Sequence, residues 1–233
     1  MWRMIWHETG DPAVIVMLTQ THEAGREKCF QYFPTDMENP TLNINEQDEF
    51  GDNFLGSLTL RNMTQDAETR STLRKMELET ADGQTKTVYH YLFSRWSDFG
   101  APEHEDKDAL LSLIKVSDKM NTSPGSPRVV HCSAGVGRSG TFIALDWLLT
   151  ELDEGSLDEV PDDLDPIAKL VDELRQQRMY MVQAEPQFWF LYEVLKEYWT
   201  VRWKQRQAES DTKKENGDKK GSVLVGEVTV NPA

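Results

Sequence analysis

Hydrophobic positions in the first half of this chain mostly alternate or run in short unbroken stretches, whereas those in the second half mostly recur at helical spacing. The run AVIVMLT (13–19) is continuous, β-branched and short, which marks a buried strand. KCFQYF (28–33) reads as a second strand, ended by Pro34, and residues 35–53 are polar and turn-rich and read as loop. Then LGSLTLRNM, STLRKMELET and KTVYHYLF each alternate apolar with polar positions, separated by TQDAET and ADGQ. Alternation of that kind, with turn residues between, predicts an antiparallel meander with one face on the core.

EDKDALLSLIKVSDKMN (105–121) has apolar residues at helical spacing, acids at its start and a lysine near its end, so charge and dipole agree. SPGSP breaks it. RVVHC (128–132) reads as a short buried strand and GTFIALDWLLTEL (140–152) as a helix. Residues 153–165 form an acidic loop without a basic residue, and DPIAKLVDELRQQR and AEPQFWFLYEVLKEYWTVRW complete a helical C-terminal half. From about Gln205 the apolar period stops, so 205–233 reads as a disordered tail behind a domain spanning 1–204. SVLVGEVTV, near the end, has the composition of a strand without an evident partner. Strands first and helices later indicate an α+β fold.

Composition narrows the function classes. With 233 residues the chain can bury a sizeable core, and its formal net charge of −15 argues against nucleic acid or an anionic membrane as the main partner. Two cysteines, Cys29 and Cys132, suit a reducing compartment better than a disulfide scaffold. The opening MWRMIWHETGD does not have the form of a signal peptide, and no run approaches the ~18 apolar residues of a membrane span. The expectation is a cytoplasmic monomer without membrane contact. His7, His22, His90, His104 and His131 are scattered and the acids show no ligand spacing, so neither metal nor cofactor is expected.

One stretch stands out against the acidic background: HCSAGVGRSGTF (131–142), which carries Arg138 and no acid. Strand, turn and helix in that order put the turn at a helix N-terminus, where free N–H groups and the dipole favour an anion. Gly135, Gly137 and Gly140 let the backbone of Ser133, Ala134, Gly135, Val136 and Gly137 wrap so that several amides converge on phosphate oxygens. Arg138 follows Cys132 by six positions, one wrap of such a loop, and its planar fork suits two of those oxygens. Cys132 at the bottom of that positive cradle would favour thiolate over thiol, which suits attack on phosphorus. A cysteine at a strand end is often only a small buried hydrophobe. Here the glycines, the arginine and the flanking elements agree on a nucleophile.

VVHCSAGVGRSGTF resembles the phosphate-binding signature of the tyrosine-specific protein tyrosine phosphatases. The resemblance runs in family order through MWRMIWHETGDPAVIVMLTQTHEAGREKCFQYFP, HYLFSRWSDFGAPE (the mobile acid loop) and RMYMVQAEPQFWFLY (the glutamine loop), covering residues 1 to about 203. It implies a central mixed, twisted sheet flanked by helices, with the phosphate loop between strand and helix. It also implies hydrolysis of phosphotyrosine on proteins through a phosphocysteine, without cofactor. Residue by residue, Asp98 matches the general acid that protonates the leaving oxygen and then acts as base on water, a role requiring desolvation when the loop closes. Trp96 and Phe99 match its neighbours, Phe99 packing over the substrate ring. Gln183 and Gln187 match the two glutamines, Gln183 positioning the hydrolytic water. Ser139 matches a hydroxyl that stabilises the departing thiolate and competes for a role as helix N-cap. His131 matches a supporting histidine behind the thiolate, Glu23 a carboxylate that orients the arginine, and Lys28 a basic group at the pocket rim. Tyr180 stands where relatives often have a small residue, and its ring would narrow the cleft.

Two departures carry expectations of their own. Ser97 stands where the family usually has proline between the Trp and the Asp, which predicts a freer loop and a smaller closed population. The family's domains also carry a substantial segment before WRMIW, including a loop whose aromatic ring stacks on phosphotyrosine. No counterpart occurs here, so the domain reads as N-terminally incomplete, with weaker exclusion of phosphoserine and a partly uncovered sheet. Two other readings therefore stand beside the phosphatase: a catalytically weak phosphotyrosine-binding or regulatory fragment, and a dual-specificity phosphatase.

Overall fold

The computed structural model describes residues 1–49, 51–123 and 125–221, with 209–221 described by their backbone alone. SVLVGEVTV falls outside the described residues. After a short helix α1 (Trp2–Glu8), the chain lays down β1 (Ala13–Met17), the small hairpin β2 (His22–Glu23) and β3 (Arg26–Glu27), and β4 (Thr41–Ile44). The meander follows as β5 (Gly56–Asp66), β6 (Ser71–Thr80) and β7 (Thr85–Leu92). The remainder is α2 (His104–Met120), β8 (Val129–His131), α3 (Gly137–Glu154), α4 (Pro166–Gln177) and α5 (Glu185–Gly221).

The main sheet has the order β4-β5-β6-β7-β1-β8, antiparallel from β4 to β7 and parallel where β1 lies between β7 and β8. β1 occupies the centre of the parallel part and is buried at all five positions, which is why its sequence is an unbroken apolar run. Ile15 and Met17 join Trp2, Ile5, Leu58, Leu60, Met76, Leu78 and Val88 in one buried cluster on one face of the sheet. α2 packs against β1 and α3 against β8. The carboxyl ends of β7, β1 and β8 come together at one edge, joined where Phe93 N donates to Met17 O at 2.9 Å and Leu18 N to His131 O at 2.8 Å. In open sheets with parallel strands, ligands bind at this kind of edge.

One cation holds three carbonyls at the end of α1. Lys86 on β7 is 8% exposed, and its ammonium donates to Ile5 O at 3.2 Å and to Trp6 O and Thr9 O at 2.6 Å each, closing the carbonyl end of the helix. Burial holds its pKa below the usual lysine value, against the pull of Asp11. Lys86→Met keeps the bulk and removes all three bonds, so urea unfolding is expected to show a loss of about 2 kcal/mol. A loss within experimental error would mean that the Lys86 bonds do not hold α1.

Four parts of the sequence reading are corrected. KCFQYF is not a strand: the amides of Lys28 and Cys29 both go to Thr21 O, at 2.7 and 3.2 Å, so the segment follows the small hairpin instead of joining the sheet, while Tyr32 and Phe33 turn into the core. The loop 35–53 contains β4, an edge strand whose exposed polar positions Thr41 and Asn43 hid the pairing with β5. The acidic loop 153–165 includes a 3₁₀ turn at Ser156–Glu159. The helix ending the chain does not stop near 205: α5 runs to Gly221, because Gln, Ala, Glu and Lys sustain a helix without an apolar stripe. Compactness divides the chain within α5, into Met1–Leu191 and Tyr192–Ala233, and in the second unit Trp199 and Trp203 stack at 5.5 Å one turn apart. Among the described residues, no helix is long and apolar enough to cross a membrane.

Candidate active site

The cradle begins where β8 ends. Cys132 is 6% exposed, residues 132–136 curl around it, and α3 starts at Gly137, three residues earlier than its apolar period suggested. Arg138 and Ser139 therefore belong to the first helical turn. Gly135 sits at φ +70°, a left-handed backbone that turns the loop back on itself. Gly140 is required by packing, since a Cβ there would lie 2.5 Å from Val182 N. The N-cap position is Val136, with no side-chain cap, so Ser139 does not cap the helix: it lies inside the first turn, beyond capping position.

Burial works against ionisation of Cys132, but it is outweighed. Hydrogen bonding from the Ser139 hydroxyl and from the amides of Ser139 and Gly135, together with the charge of Arg138, holds the thiol below its usual pKa. The buried Ser139 hydroxyl has no oxygen or nitrogen partner, which leaves its proton available to the sulfur. Cys29 is the opposite case: burial, then the nearby Glu27 charge, push its thiol up.

Arg138 is 1% exposed and held from three sides. Nη1 donates to Glu23 Oε1 at 2.6 Å and to Trp96 O at 3.0 Å, and Nη2 donates to Thr19 Oγ1 at 3.2 Å. Thr19 in turn donates to Glu23 Oε1 at 2.9 Å. Burial raises the Glu23 pKa, but bonding from Arg138 and Thr19, the Arg138 charge and the Gln20 amide bring the net shift down. The glycine-rich motif marked Arg138, and the family resemblance marked Glu23. Neither marked Thr19, whose part depends on β1 ending beside the cradle.

Asp98 comes from the segment after β7. Its carboxylate meets Lys28 Nζ at 2.8 Å and Arg138 Nη2 at 3.5 Å, which joins the acid to the cradle through two cations. Trp96 is buried and donates from Nε1 to Gly100 O at 2.8 Å, closing the turn that holds Ser97 and Asp98. Phe99, at φ +60° and 56% exposed, presents its ring to solvent at the loop tip. Lys28 is tied to the cradle a second way, because Ser133 Oγ donates to its carbonyl at 2.8 Å. A cavity of about 640 Å³ lies on this side, lined by Glu23, Arg26, Lys28, Trp96, Asp98 and Phe99 among others.

The glutamine loop closes the remaining side. Val136 O accepts from both Gly140 N (3.0 Å) and Val182 N (3.2 Å), so cradle and loop share one carbonyl. Gln187 is 1% exposed, and its amide atoms lie 3.0 and 3.1 Å from where a Gly137 Cβ would sit; its Oε1 also accepts from Ala184 N at 3.2 Å. The Gln183 Cβ lies 3.4 Å from the same point, and the residue is exposed. Gln187 is thus wedged under the first turn of α3, while Gln183 beside it is exposed. Tyr180, 65% exposed, stands on the same loop.

Behind Cys132 lies a buried chain that the sequence did not suggest. His131 Nδ1 is 3.1 Å from Cys132 O, so it donates, and Nε2 must accept from Tyr32 Oη at 2.6 Å. Tyr32 Oη then accepts from His90 Nε2 at 2.9 Å. Burial lowers the pKa of both histidines, and the Arg74 charge lowers His90 further, so neutral imidazoles suit this chain. Among the described residues no group of three His, Cys, Asp or Glu is placed to hold a metal ion.

The residues expected from the sequence gather where β7, β1 and β8 end, with Glu23 in β2, His131 closing β8, Arg138 and Ser139 in the first turn of α3 and Gln187 in the first turn of α5. Chemically the arrangement offers a thiol biased toward ionisation by the Ser139 hydroxyl and the Ser139 and Gly135 amides, a fixed guanidinium, and a carboxylate within reach of both cations. Comparison with known proteins agrees. The family model described as protein-tyrosine phosphatase matches residues 1–197. The chain is 36% identical over 200 residues to tyrosine-protein phosphatase 1 of Schizosaccharomyces pombe, covering 83% of this chain and 34% of that protein. It is 35% identical over 218 residues to tyrosine-protein phosphatase 1 of Saccharomyces cerevisiae, covering 84% of this chain and 64% of that protein. A crystal structure of a Trypanosoma cruzi protein tyrosine phosphatase superposes with a TM-score of 0.67 at 26% identity, covering 79% of this chain and 59% of that one. The chain thus spans less than two thirds of each of these relatives, and with a family model matching residues 1–197 and a relative 36% identical over 200 residues, it belongs to the protein-tyrosine phosphatase family.

Proposed function

We propose that this chain hydrolyses phosphotyrosine on proteins through a phosphocysteine. The observation that carries this is the joining of Cys132, Arg138 and Asp98 in one site. The sulfur is biased toward thiolate, the guanidinium is fixed beside it, and the carboxylate lies 3.5 Å from that guanidinium. In the first step the Cys132 sulfur forms a bond to phosphorus as the aryl oxygen–phosphorus bond breaks. Asp98 gives its proton to the departing oxygen, while Arg138 and the amides of residues 133–138 hold the equatorial oxygens. In the second step a water aimed by Gln183 attacks phosphorus and passes its proton to Asp98, and the pair of the broken S–P bond returns to sulfur, where the Ser139 hydroxyl stabilises it. Phe99 covers the substrate ring, Lys28 orients Asp98, Glu23 and Trp96 orient Arg138, Gln187 supports the first turn of α3, and His131 supports Cys132. A thiolate nucleophile requires a reducing compartment, which supports a cytoplasmic site of action, as a monomer on phosphotyrosine-containing proteins.

The test is hydrolysis of an aryl phosphate and of matched phosphotyrosine and phosphoserine peptides, in the presence of a chelator. Turnover of the aryl and tyrosine substrates, with the serine peptide much slower, is the expected result. Comparable rates on both peptides would favour dual specificity, and no turnover by folded protein would leave a phosphotyrosine-binding fragment. Asp98→Ala is expected to lower kcat about 10²-fold on aryl phosphates. An unchanged kcat would remove Asp98 from the mechanism.

A further inference from the structure

The loop carrying Gln183 is strained at two positions. Tyr180 has φ +67° and Val182 φ +56°, in the left-handed region that a β-branched residue enters only when its surroundings force it. One side chain grips this stretch. Arg175, near the end of α4, donates from Nε to Met181 O at 3.0 Å and from Nη2 to Val182 O at 2.9 Å. A single planar fork thus takes two successive carbonyls, the second belonging to the strained valine and directly preceding Gln183. The amide of Val182 is used on the other side, donating to Val136 O of the cradle. Arg178, three residues on, serves the cradle itself by donating to Ala134 O at 3.0 Å, so the two arginines have separate tasks.

We propose that Arg175 is a positioning residue for the second half of the reaction. It touches neither substrate nor cradle; it fixes the backbone from which Gln183 projects, and so the direction in which the Gln183 amide aims water. In that step the water oxygen bonds to phosphorus, the S–P bond breaks with its electron pair going to the Cys132 sulfur, and the water proton passes to Asp98. Formation of the phosphocysteine does not use Gln183 and is independent of Arg175. The inference rests on the phosphatase reading above.

Pre-steady-state hydrolysis of p-nitrophenyl phosphate by the full chain separates the two halves. For Arg175→Met the burst of nitrophenolate is expected to keep its rate, while the steady-state rate falls about tenfold and KM falls with it as phosphocysteine accumulates. Added glycerol should capture a larger share of the phosphoryl group than in wild type, because a loosened Gln183 no longer favours water. Arg175→Lys, which keeps a donor, should recover part of the loss. The Arg175→Met, Gln183→Ala pair should be no slower than Gln183→Ala alone. Melting curves set an assay temperature at which every variant is folded. Burst and steady-state rates falling together, an unchanged glycerol share, or multiplying effects in the double variant would overturn the proposal. Failure of the wild-type chain to release nitrophenolate would instead overturn the phosphatase reading, and the inference with it.

Discussion

Cys132→Ser abolishes turnover of an aryl phosphate, with a loss of at least about 10⁴-fold, while leaving the fold and the affinity for phosphate analogues largely intact. The expectation follows from how the cradle is built. Hydrogen bonds from Ser139 and Gly135, with the Arg138 charge, stabilise negative charge on the atom at position 132. A thiol, with an ordinary pKa of about 8.5, is within range of that stabilisation, and an alkyl hydroxyl is far outside it. The serine variant keeps the amides and the guanidinium, and so keeps the anion site, but has no nucleophile to use there. Alkylation gives an independent check. Near about pH 6.5, iodoacetate should modify Cys132 in preference to Cys29, whose thiol is pushed up by burial and Glu27. Equal labelling of the two cysteines, or a serine variant that still turns over, would remove Cys132 as nucleophile.

Arg138→Met is expected to lower activity on the order of 10³-fold and, unlike the cysteine change, also to destabilise the protein. The guanidinium is almost fully buried, and four groups are arranged around it: Glu23, the Trp96 carbonyl, Thr19 and Asp98. Removing the cation leaves the Glu23 carboxylate with only the Thr19 hydroxyl and the Gln20 amide as donors, and because that carboxylate is partly exposed the defect is about 1–3 kcal/mol. Arg138→Lys restores charge without the fork, so it should recover stability more than rate. The pH dependence has a definite sign. The Glu23 carboxyl is held below its usual range, so its contribution is complete above the unfolded value of about 4.3 and disappears as pH falls through the lower folded value. Glu23→Gln should therefore flatten the acid side of the stability curve below about pH 4.3, while the wild-type curve falls there. Parallel acid curves for the two proteins would show that the pair does not contribute.

What could be read without coordinates, and what could not, divides by the range of the interactions. The buried β1, the meander, α2, α3 and the glycine-rich cradle all announce themselves locally, because burial on both faces, alternation, helical spacing and a strand–turn–helix junction each leave a mark within a dozen residues. Cys132 and Arg138 were legible because an anion cradle needs glycines and an arginine at short spacing between a strand and a helix, whereas Asp98, Gln183 and Gln187 were marked by the family resemblance. Glu23 and Lys28 were legible only through family resemblance, and their contacts to Arg138 and Asp98 cross 115 and 70 residues of chain. The edge strand β4 was missed because an exposed edge carries polar residues like a loop, and KCFQYF was misread because its amides bond to Thr21 and not to a strand. Thr19, the Tyr32–His90–His131 chain and the grip of Arg175 on Val182 left no local mark at all. Each depends on parallel strands ending at one edge, or on α4 ending beside the glutamine loop. The sequence by itself, through side-chain type, short spacing and family resemblance, marked the residues proposed for the chemistry; only the tertiary structure decided what holds them in place, because a hydrogen bond between distant segments exists only once the chain has brought them together.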